Sequence, residues 1–485
     1  MAQDKVGAEA PELEKQRKNF EAAQNALTQM QNLTRNRRRT TQSYTKEQLV
    51  SYIQNPASNE KNLRDVSNVF YLRCQAYNRL VSYYASLPNF DARIVIPPYD
   101  MTGRNNDNKI LKSYYQTCNV LSHWNINSEF YRPTKHSILE DTFYGIAYYS
   151  DEGLLIYPMD NAWCKLYGRY SNTGDYSYAV DMSNFRGTNN FLIDALGEPI
   201  KSMYDAYQSS GDKWQVMPDE YCFCIKFNTN DDLLEIPPLV GLFESLLDML
   251  NMADVSNLEA EQSIYKMIYM QIPTISNSKT PDDFSVSPAL ATKYYNRLIE
   301  EAIPTDSVTC GISPVPLNTI SFDNDASKNN NRVSEATKNV FDVSGGAMLL
   351  SSNITNSTAY NYAVKADTLW VTSPLLPQFE GWLNRILPYV VSNPSRVKFI
   401  QTGRLTTEDT RKELLEDSQY GLPAKLAVMA LDGVDPLSTL SLNHLEEDIL
   451  GLANKFDKPL SSSFTSSSTG RPADENSGTS ENDKG

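Results

Sequence analysis

The pattern of apolar and polar positions changes character several times along the chain. Residues 45–87 repeat apolar positions every three or four residues, in "SYTKEQLVSYIQN" and "DVSNVFYLRCQAYNRLVSYYASLP". This spacing predicts helices that begin after the N-cap Thr45 and stop before Pro88. Between about 136 and 230, "DTFYGIAYYSDEGLLIYPMD" and "WCKLYGRYSNTGDYSYAVDM" each predict a hairpin, and "PDEYCFCIKF" predicts a further strand. We therefore expect an aromatic antiparallel sheet in this part of the chain.

Helical periodicity returns at Ile236 and dominates the second half. A helix of about 33 residues is predicted up to residue 271. Residues 272–322 are loop-rich and Pro-rich, with a helical stretch at "SPALATKYYNRLIEEAI" and β-like "TCGISPVPLNTISF". A short helix is predicted at "NRVSEATKNVF", and a long one at "STAYNYAVKADTLWVTSPLLPQFEGWLNRILPYVV", kinked at Pro374 and Pro377. After a strand at "SRVKFIQTG", "TEDTRKELLEDSQYG" and "LNHLEEDILGLANKF" predict short helices, so the fold class is α+β.

Two features of this half are candidates for function. The helix after Ile236 has an apolar face, and the opposite face collects Glu244, Asp248, Asn251, Glu259 and Gln262. Taken alone, such a face is a solvated surface. The stretch "VSGGAMLLSSNITNSTAYN" joins two predicted helices through about ten small, apolar or hydroxyl residues, more than a turn needs. Its first glycine is explained as a helix C-cap.

The two ends of the chain are polar. Residues 1–42 have sparse apolar positions (Phe20, Leu27, Met30, Leu33), which predicts a frayed or partner-dependent helix, or disorder. Residues 461–485 are Ser-, Gly- and Asp-rich, and we expect a disordered tail. The charged N-terminus is unlike a signal peptide, and no apolar run approaches the ~18 residues of a membrane span. We expect a soluble protein of cytosolic origin with no membrane partner.

The charge of −15 and the pI near 4.8 argue against a protein that grips nucleic acid tightly, because phosphate binding needs clusters of Lys and Arg. The basic run "RNRRR" (Arg35–Arg39) could touch phosphate, but such runs are more often solvated tails. The 29 tyrosines suit contacts with other proteins or half-buried positions in sheets, and the sequence leaves both readings open.

No catalytic constellation is visible. Cys222-x-Cys224 is typical of alternation on one strand face, and none of the three histidines lies near it, so we expect neither a metal site nor a cofactor. "SGGAML" lacks the spacing and lysine of a phosphate loop, and neither G-x-S-x-G nor H-E-x-x-H occurs. Asp231, Asp232 and Glu235 could hold Mg²⁺ in a hydrolase, although acidic turns of this kind are commoner than metal sites. We expect a protein that is not an enzyme.

The order of these parts resembles the portal proteins, or head-to-tail connectors, of tailed bacteriophages and prophages. "DVSGGAMLLSSNITNSTAY" looks like the family's tunnel loop, and "QFEGWLNRIL" sits where the family has an acidic-aromatic segment of its kinked helix. "SQYGLPAKLAVMALDGVDP", "HLEEDILGL" and "KPLSSSFTSS" resemble the end of portal proteins from phages of Gram-positive hosts. The resemblance covers about residues 45–468. Little helical sequence remains after about residue 455, which implies a reduced crown.

The resemblance implies a non-enzymatic ring, usually of twelve subunits, at one capsid vertex of a virion assembled in the host cytoplasm. Double-stranded DNA would pass through its channel during packaging and ejection. The implied partners are the terminase large subunit, a head-tail adaptor, and the major capsid and scaffolding proteins. The alternatives are another virion collar or adaptor protein and, less favoured, the metal-dependent hydrolase.

The same resemblance divides the chain into regions and assigns residues to them. The regions are a partly disordered polar arm (1–44), a wing (45–235), a stem helix (236–271), a clip (272–327), a second stem helix (328–343), a tunnel loop (344–356), a long kinked wing helix (357–390), a wing return (391–440), a short crown-like helix (441–460) and a disordered tail (461–485). The tunnel loop in the DNA channel would contain Ser344, Gly345, Gly346, Ala347, Met348, Leu349, Leu350, Ser351, Ser352 and Asn353. The polar face of the stem helix, with Glu244, Asp248, Asn251, Glu259 and Gln262, would line the lumen. Pro374, Pro377, Glu380 and Trp382 would mark the kinked helix.

Overall fold

Helices and small antiparallel sheets together build the protein, which confirms the α+β class. The computed structural model describes residues 17–18, 20–21, 44–98, 106–230, 234–252, 266–270, 275, 283–293, 317–321 and 357–452. The helices are α1 (Lys46–Gln54), α2 (Pro56–Arg73), α3 (Gln75–Ser86), α4 (Asp107–His123), α5 (Ile126–Glu140), α6 (Phe191–Leu196), α7 (Ile200–Ser210), α8 (described over 243–252), α9 (described over 288–293), α10 (Ser357–Val390), α11 (Thr407–Gln419), α12 (Lys425–Leu431), α13 (Pro436–Asn443) and a π-helix (His444–Ile449). The strands are β1 (Arg93–Ile96), β2 (Thr142–Tyr149), β3 (Leu154–Pro158), β4 (Cys164–Arg169), β5 (Tyr176–Asp181), β6 (Trp214–Val216), β7 (Cys222–Lys226), β8 (Lys266–Met270), β9 (Leu317–Ser321) and β10 (Arg396–Phe399). Short 3₁₀ turns lie at Asn161–Trp163, Met182–Phe185, Gly187–Asn189 and Val240–Leu242.

The N-terminal helices form where the periodicity predicts them. Thr45 accepts a hydrogen bond from the Gln48 amide, and the Gln48 side chain caps the Thr45 amide in return, which completes a capping box. The helices are interrupted at Asn55 and at Cys74, and the third helix ends at Ser86, before Pro88. The inward faces of these helices are fully or almost fully buried at Leu49, Leu63, Val66, Phe70, Tyr77, Leu80, Val81 and Tyr84.

The predicted hairpins are present, but they belong to two sheets and not to one. One sheet has the order β3-β2-β7 and the other β4-β5-β6, and all four pairings within them are antiparallel. All eight residues of β2 are buried. Phe143, Ala147 and Tyr149 join the main core, whereas the alternate side chains Tyr144 and Ile146 join a second core beneath the other sheet. Strand β2 therefore lies between two apolar layers, as its continuous apolar sequence requires.

The cysteines of β7 follow the predicted alternation. Cys222 and Cys224 belong to the second core, while Phe223 and Ile225 belong to the main core. All five described cysteines are buried and free. They are therefore packing residues of the sheets, in the part of the chain that the structure describes.

The long helix predicted near the C-terminus is a single helix, α10, of 34 residues. Its stripe of Phe379, Trp382, Leu383, Ile386 and Leu387 is completely buried in the main core. At 1.5 Å per residue, α10 is about 50 Å long. The helix continues through the prolines of its middle, and the bend expected there stays a prediction.

The predicted helix from Ile236 does not run to residue 271. The α-helix α8 begins only at residue 243, after a 3₁₀ turn at Val240–Leu242, and it buries Phe243, Leu246 and Leu247 on the predicted apolar face. Residues Lys266–Met270 are instead strand β8, which pairs antiparallel with β9. The sequence "KMIYM" is a short apolar run, and periodicity cannot separate a buried strand from a helix over five residues. The β-like reading of "NTIS" in β9 was correct.

Several other elements differ from those that the sequence predicts or lie outside the described residues. Helices α4, α5, α6 and α7 were not predicted, although α4 begins with an Asn106 cap of the usual kind. The predicted helix at "NRVSEATKNVF" lies outside the described residues. The strand at "SRVKFIQTG" is confirmed as β10, which pairs with β1 across about 300 residues of sequence. The predicted short helices appear as α11 and the π-helix.

His136 on α5 provides a pH prediction for the folded body. Its ring lies 5.7 Å from that of Phe143, and desolvation, helped by Lys135 and Arg132, lowers the pKa of His136 to about 4. An unfolded histidine has a pKa near 6.5, so between these values the unfolded chain binds a proton that the folded chain does not. We expect the free energy of unfolding to fall by up to about 3 kcal/mol as the pH drops through this window.

Denaturant titrations at several pH values would measure this effect. His136→Gln should lose less stability than the wild type between pH 6.5 and 4. His123→Gln, at an exposed position, is the matched control and should behave as the wild type does. An unchanged pH slope in His136→Gln would contradict the prediction.

Candidate functional site

Between α8 and α10 the chain makes an excursion that is closed by a two-stranded ribbon. β8 and β9 pair in register from Lys266 opposite Ser321 to Met270 opposite Leu317. Residues 271–316 therefore leave and re-enter through one two-stranded ribbon. In chain order, the β8–β9 ribbon comes after α8 and before α10, two helices that bury apolar side chains in the main core.

Helix α8 presents the acidic face in the described part of the chain. Glu244 and Asp248 are half-exposed, and Asn251 is exposed, opposite the buried leucines. The Lys46 ammonium lies 2.8 Å from the Asp248 carboxylate, and this bond raises the pKa of Lys46. The negative charge of Asp248 is thus partly neutralised within the same chain. Glu259 and Gln262 lie outside the described residues.

The predicted tunnel loop (344–356), including its candidate residues Ser344 to Asn353, also lies outside the described residues. Helix α10 begins directly after it, at Ser357. The loop's role therefore stays a prediction.

The four residues expected to mark the long helix occupy different environments. Trp382 is completely buried and donates its indole N–H to the Cys222 carbonyl at 2.9 Å. Glu380 accepts from the Phe399 amide at 3.4 Å and lies 3.9 Å from Arg396. Pro374 is half-buried and Pro377 is exposed. Trp382 and Glu380 thus connect α10 to β7 and β10.

Two further side chains, which the sequence analysis did not single out, fix α10 on the sheets. Gln378 donates to the Lys226 carbonyl at 2.7 Å and accepts from the Lys226 amide at 3.0 Å, so it continues the hydrogen bonding of β7. Arg385 lies 2.7 Å from the buried Asp175 carboxylate and donates to the Cys222 carbonyl at 2.9 Å. Its guanidinium also stacks 4.4 Å from the Tyr170 ring.

The β4–β5 hairpin approaches α10 at a glycine. A Cβ added to Gly381 would lie 2.0 Å from the Thr173 carbonyl oxygen, which is far inside van der Waals contact. Only glycine allows this approach of the hairpin backbone to the helix. The segment "QFEGW" (378–382) therefore supplies both the glycine at which the hairpin contacts α10 and the buried Trp382.

A buried ionic cluster lies where β2, β7 and the segment before α8 meet. Lys226 and Asp141 pair with both side chains fully buried, and Asp141 also accepts from the Asn228 amide at 2.7 Å. Burial raises the pKa of Asp141, while the Lys226 ammonium opposes that rise. Glu235 lies 2.6 Å from Arg64 and accepts from the Tyr144 hydroxyl. The cluster ties distant segments together.

The contacts of Glu235 bear on the hydrolase alternative, in which this residue would help to hold Mg²⁺. Glu235 is occupied by Arg64 and Tyr144, while Asp231 and Asp232 lie outside the described residues. Among the described residues, no group of three or more His, Cys, Asp or Glu side chains could hold a metal ion. The same residues contain no helix both long enough and apolar enough to cross a bilayer.

The described body contains a cavity of about 310 Å³ between the α4–α5 junction and the turn before α13. Its charged side chains Asp91, Arg93 and Asp435 have partners within the chain. Arg93 donates to the Phe90 carbonyl at 3.0 Å and lies 3.6 Å from Asp91, and Asp435 caps α13. We assign no ligand to it.

Comparison with known proteins gives distant structural neighbours only. No protein-family model matches the chain, and no curated protein matches it. Two solved structures align over 78% of this chain and 94% of their own. One is the neck of an empty gene transfer agent particle computed with C6 symmetry (TM-score 0.43, 12% identity), and the other is the virion of a native gene transfer agent particle (TM-score 0.41, 11% identity).

Proposed function

We propose that this protein is a non-enzymatic subunit of a portal ring at one vertex of a phage-like capsid. The observation that carries the proposal is the excursion closed by the β8–β9 ribbon and followed by the long helix α10. This is the order of clip, stem and kinked helix that the sequence resemblance implies. Residues 271–316 would form the part of the clip that docks the terminase motor during packaging and a head-tail adaptor afterwards.

The contacts of α10 suit a ring that transmits force. Gln378, Trp382 and Arg385 bond it to backbone groups of β7, and Gly381 allows the hairpin to approach directly. A helix held at so many points moves with the sheets as one body. The segment before Ser357 would then project from a firm base into the channel.

The charges suit a conduit for double-stranded DNA. A lumen lined by Glu244 and Glu259, together with the polar Asn251 and Gln262, would repel phosphates and stay hydrated. Asp248 would contribute less, because Lys46 pairs with it. Between Val343 and Lys365 the sequence has no charged residue, so the tunnel loop would contact DNA without forming ion pairs with its phosphates.

Electron microscopy of the purified full-length protein tests the ring. We expect closed rings, of twelve subunits by analogy with the resembled family, with a central hole wide enough for B-form DNA, roughly 20–40 Å. A protein that stays monomeric at all concentrations, alone and with its capsid protein, would exclude the portal. Closed rings found in the tail or collar of the particle and not at the capsid vertex would favour the collar or adaptor alternative.

A charge inserted in the tunnel loop tests the channel. The Ser351→Lys/Ser352→Lys variant should assemble normally but reduce packaged DNA per particle by about tenfold, because each subunit would present two cations to the phosphates. The Ser351→Asn/Ser352→Asn variant is the uncharged control and should package normally. Loss of rings in both variants would assign the stretch to the structural core, and normal packaging by the lysine variant would remove the loop from the channel.

A further inference from the structure

The C-terminal helices expose large apolar side chains at a higher density along the chain than the rest of the described body does. No residue of α11, α13 or the π-helix is buried. Tyr420 is 87% exposed and Ile449 is 64% exposed. Within residues 415–450 the large exposed apolar side chains are Leu415, Tyr420, Leu422, Leu426, Leu440, Leu442, Leu445, Ile449 and Leu450. We call this surface the C-terminal apolar surface.

Such helices need a partner. An isolated helix shorter than about 12–15 residues is marginal in water, and most helical stability comes from packing an apolar face. Among the four C-terminal segments, α12 buries Ala427, Ala430 and Leu431, and α13 packs only the half-buried Leu437 against the main core. Exposed large apolar side chains concentrated within so short a stretch of chain favour a docking surface over an ordinary solvated face.

The charge of the surface restricts the partner. Residues 407–452 contain ten acidic and three basic residues, a net charge of −7. The basic residues Arg411 and Lys412 already pair with Asp432 and Glu408. Glu446 and Glu447 on the π-helix have no ion pair with any described residue. The surface therefore fits an occupant that is both apolar and basic.

One segment of this chain has that chemistry. Residues 22–43 contain no acidic residue and carry Leu27, Met30 and Leu33 at a spacing of three, followed by four arginines within Arg35–Arg39. A second copy of the same surface would bring another −7, and residues 453–485 have a net charge of −1 with only Phe456, Leu460 and Phe464 as large apolar residues. Neither of these complements the C-terminal apolar surface.

Both flanks of the segment are placed on the folded body. Phe20 packs against Gly153 and Arg17 lies 2.6 Å from Asp151, at the β2–β3 turn. Tyr44 packs against the main core just before α1. The 22 residues between them can span up to about 70 Å. We propose that Leu27–Arg39 docks on the C-terminal apolar surface, with its leucines and methionine on the exposed leucines and its arginines on the acidic residues.

Hydrogen exchange of the full-length protein tests this docking and does not depend on the portal assignment. Reversing the four arginines (Arg35→Glu, Arg37→Glu, Arg38→Glu, Arg39→Glu) should raise amide exchange in 407–419 and 436–449 by about tenfold. The matched control reverses four exposed lysines elsewhere, Lys61, Lys109, Lys112 and Lys201, and should leave that exchange unchanged.

A charge swap then separates docking from a general effect of net charge. Adding Glu416→Lys, Asp417→Lys, Glu446→Arg and Glu447→Arg to the arginine-reversed chain should restore slow exchange. Equal exchange in wild type and arginine-reversed protein would overturn the proposal, as would an equal rise in the lysine control. Protection that follows protein concentration but not the arginines would identify a second copy as the occupant and would also overturn it.

Discussion

Replacing Lys226 with Met should lower the free energy of unfolding by about 3–5 kcal/mol. The Lys226 ammonium is the partner of Asp141, and both side chains are fully buried. Removal of the lysine leaves a carboxylate that is buried away from water and accepts a hydrogen bond from the Asn228 amide. Urea denaturation at neutral pH, followed by tryptophan fluorescence, would measure the loss.

The pH dependence identifies the cause of this loss. Burial already raises the pKa of Asp141, and loss of the ammonium should raise it further. In the variant the folded state then holds a proton that the unfolded state releases near pH 4, so the variant's stability falls as the pH rises. The destabilisation should be smaller at pH 5 than at pH 8.

The double variant Asp141→Asn/Lys226→Met is the control for the charge. An amide at 141 can still accept from the Asn228 amide without needing a counter-ion. We expect the double variant to be clearly more stable than Lys226→Met alone. If the single and double variants unfold at the same denaturant concentration, the loss comes from packing and not from an unpaired carboxylate.

Gly381→Ala should destabilise the protein by about 3 kcal/mol, near the upper end for an overpacked site. The new methyl group would overlap the Thr173 carbonyl, and a backbone atom cannot move aside as a flexible side chain can. The β4–β5 hairpin would have to move away from α10. That movement would also strain the Arg385 bond to Asp175, so thermal unfolding should show a lower Tm and hydrogen exchange should rise in β4 and β5.

Gly241→Ala is the matched control for this substitution. A Cβ at Gly241 meets no atom within 4 Å, and its backbone has an ordinary negative φ. Its stability should lie within about 0.5 kcal/mol of the wild type. Equal effects of the two substitutions would mean that the close approach at Gly381 does not hold the hairpin on the helix.

These two predictions concern the base from which the proposed channel elements extend. If α10 is held as firmly as its contacts indicate, Gly381→Ala should impair ring formation together with stability. The lysine substitutions in the tunnel loop should impair DNA packaging alone. The two variants therefore separate the rigid body from the segment that meets DNA.

The sequence by itself determined the elements whose signals are local. The capping box at Thr45, the turn residues of both hairpins and the apolar stripe of α10 each act within a few residues, so the elements form where they were predicted. The prediction failed at "KMIYM", because a five-residue apolar run has no period to measure. The candidate site residues were predicted from local patterns, and seven of the nineteen lie in the described part of the chain.

Only the tertiary structure decided which of those residues are free to act. Asp248 is neutralised by Lys46 from 202 residues away, and Trp382 bonds to a carbonyl 160 residues away. Gly381 owes its role to a hairpin that the helix meets only after folding. The exposed leucines of the C-terminal helices have the same sequence pattern as buried ones. Burial and pairing depend on residues far apart in sequence, whereas helix and turn signals are carried by neighbours, and this is why the elements could be predicted and their partners could not.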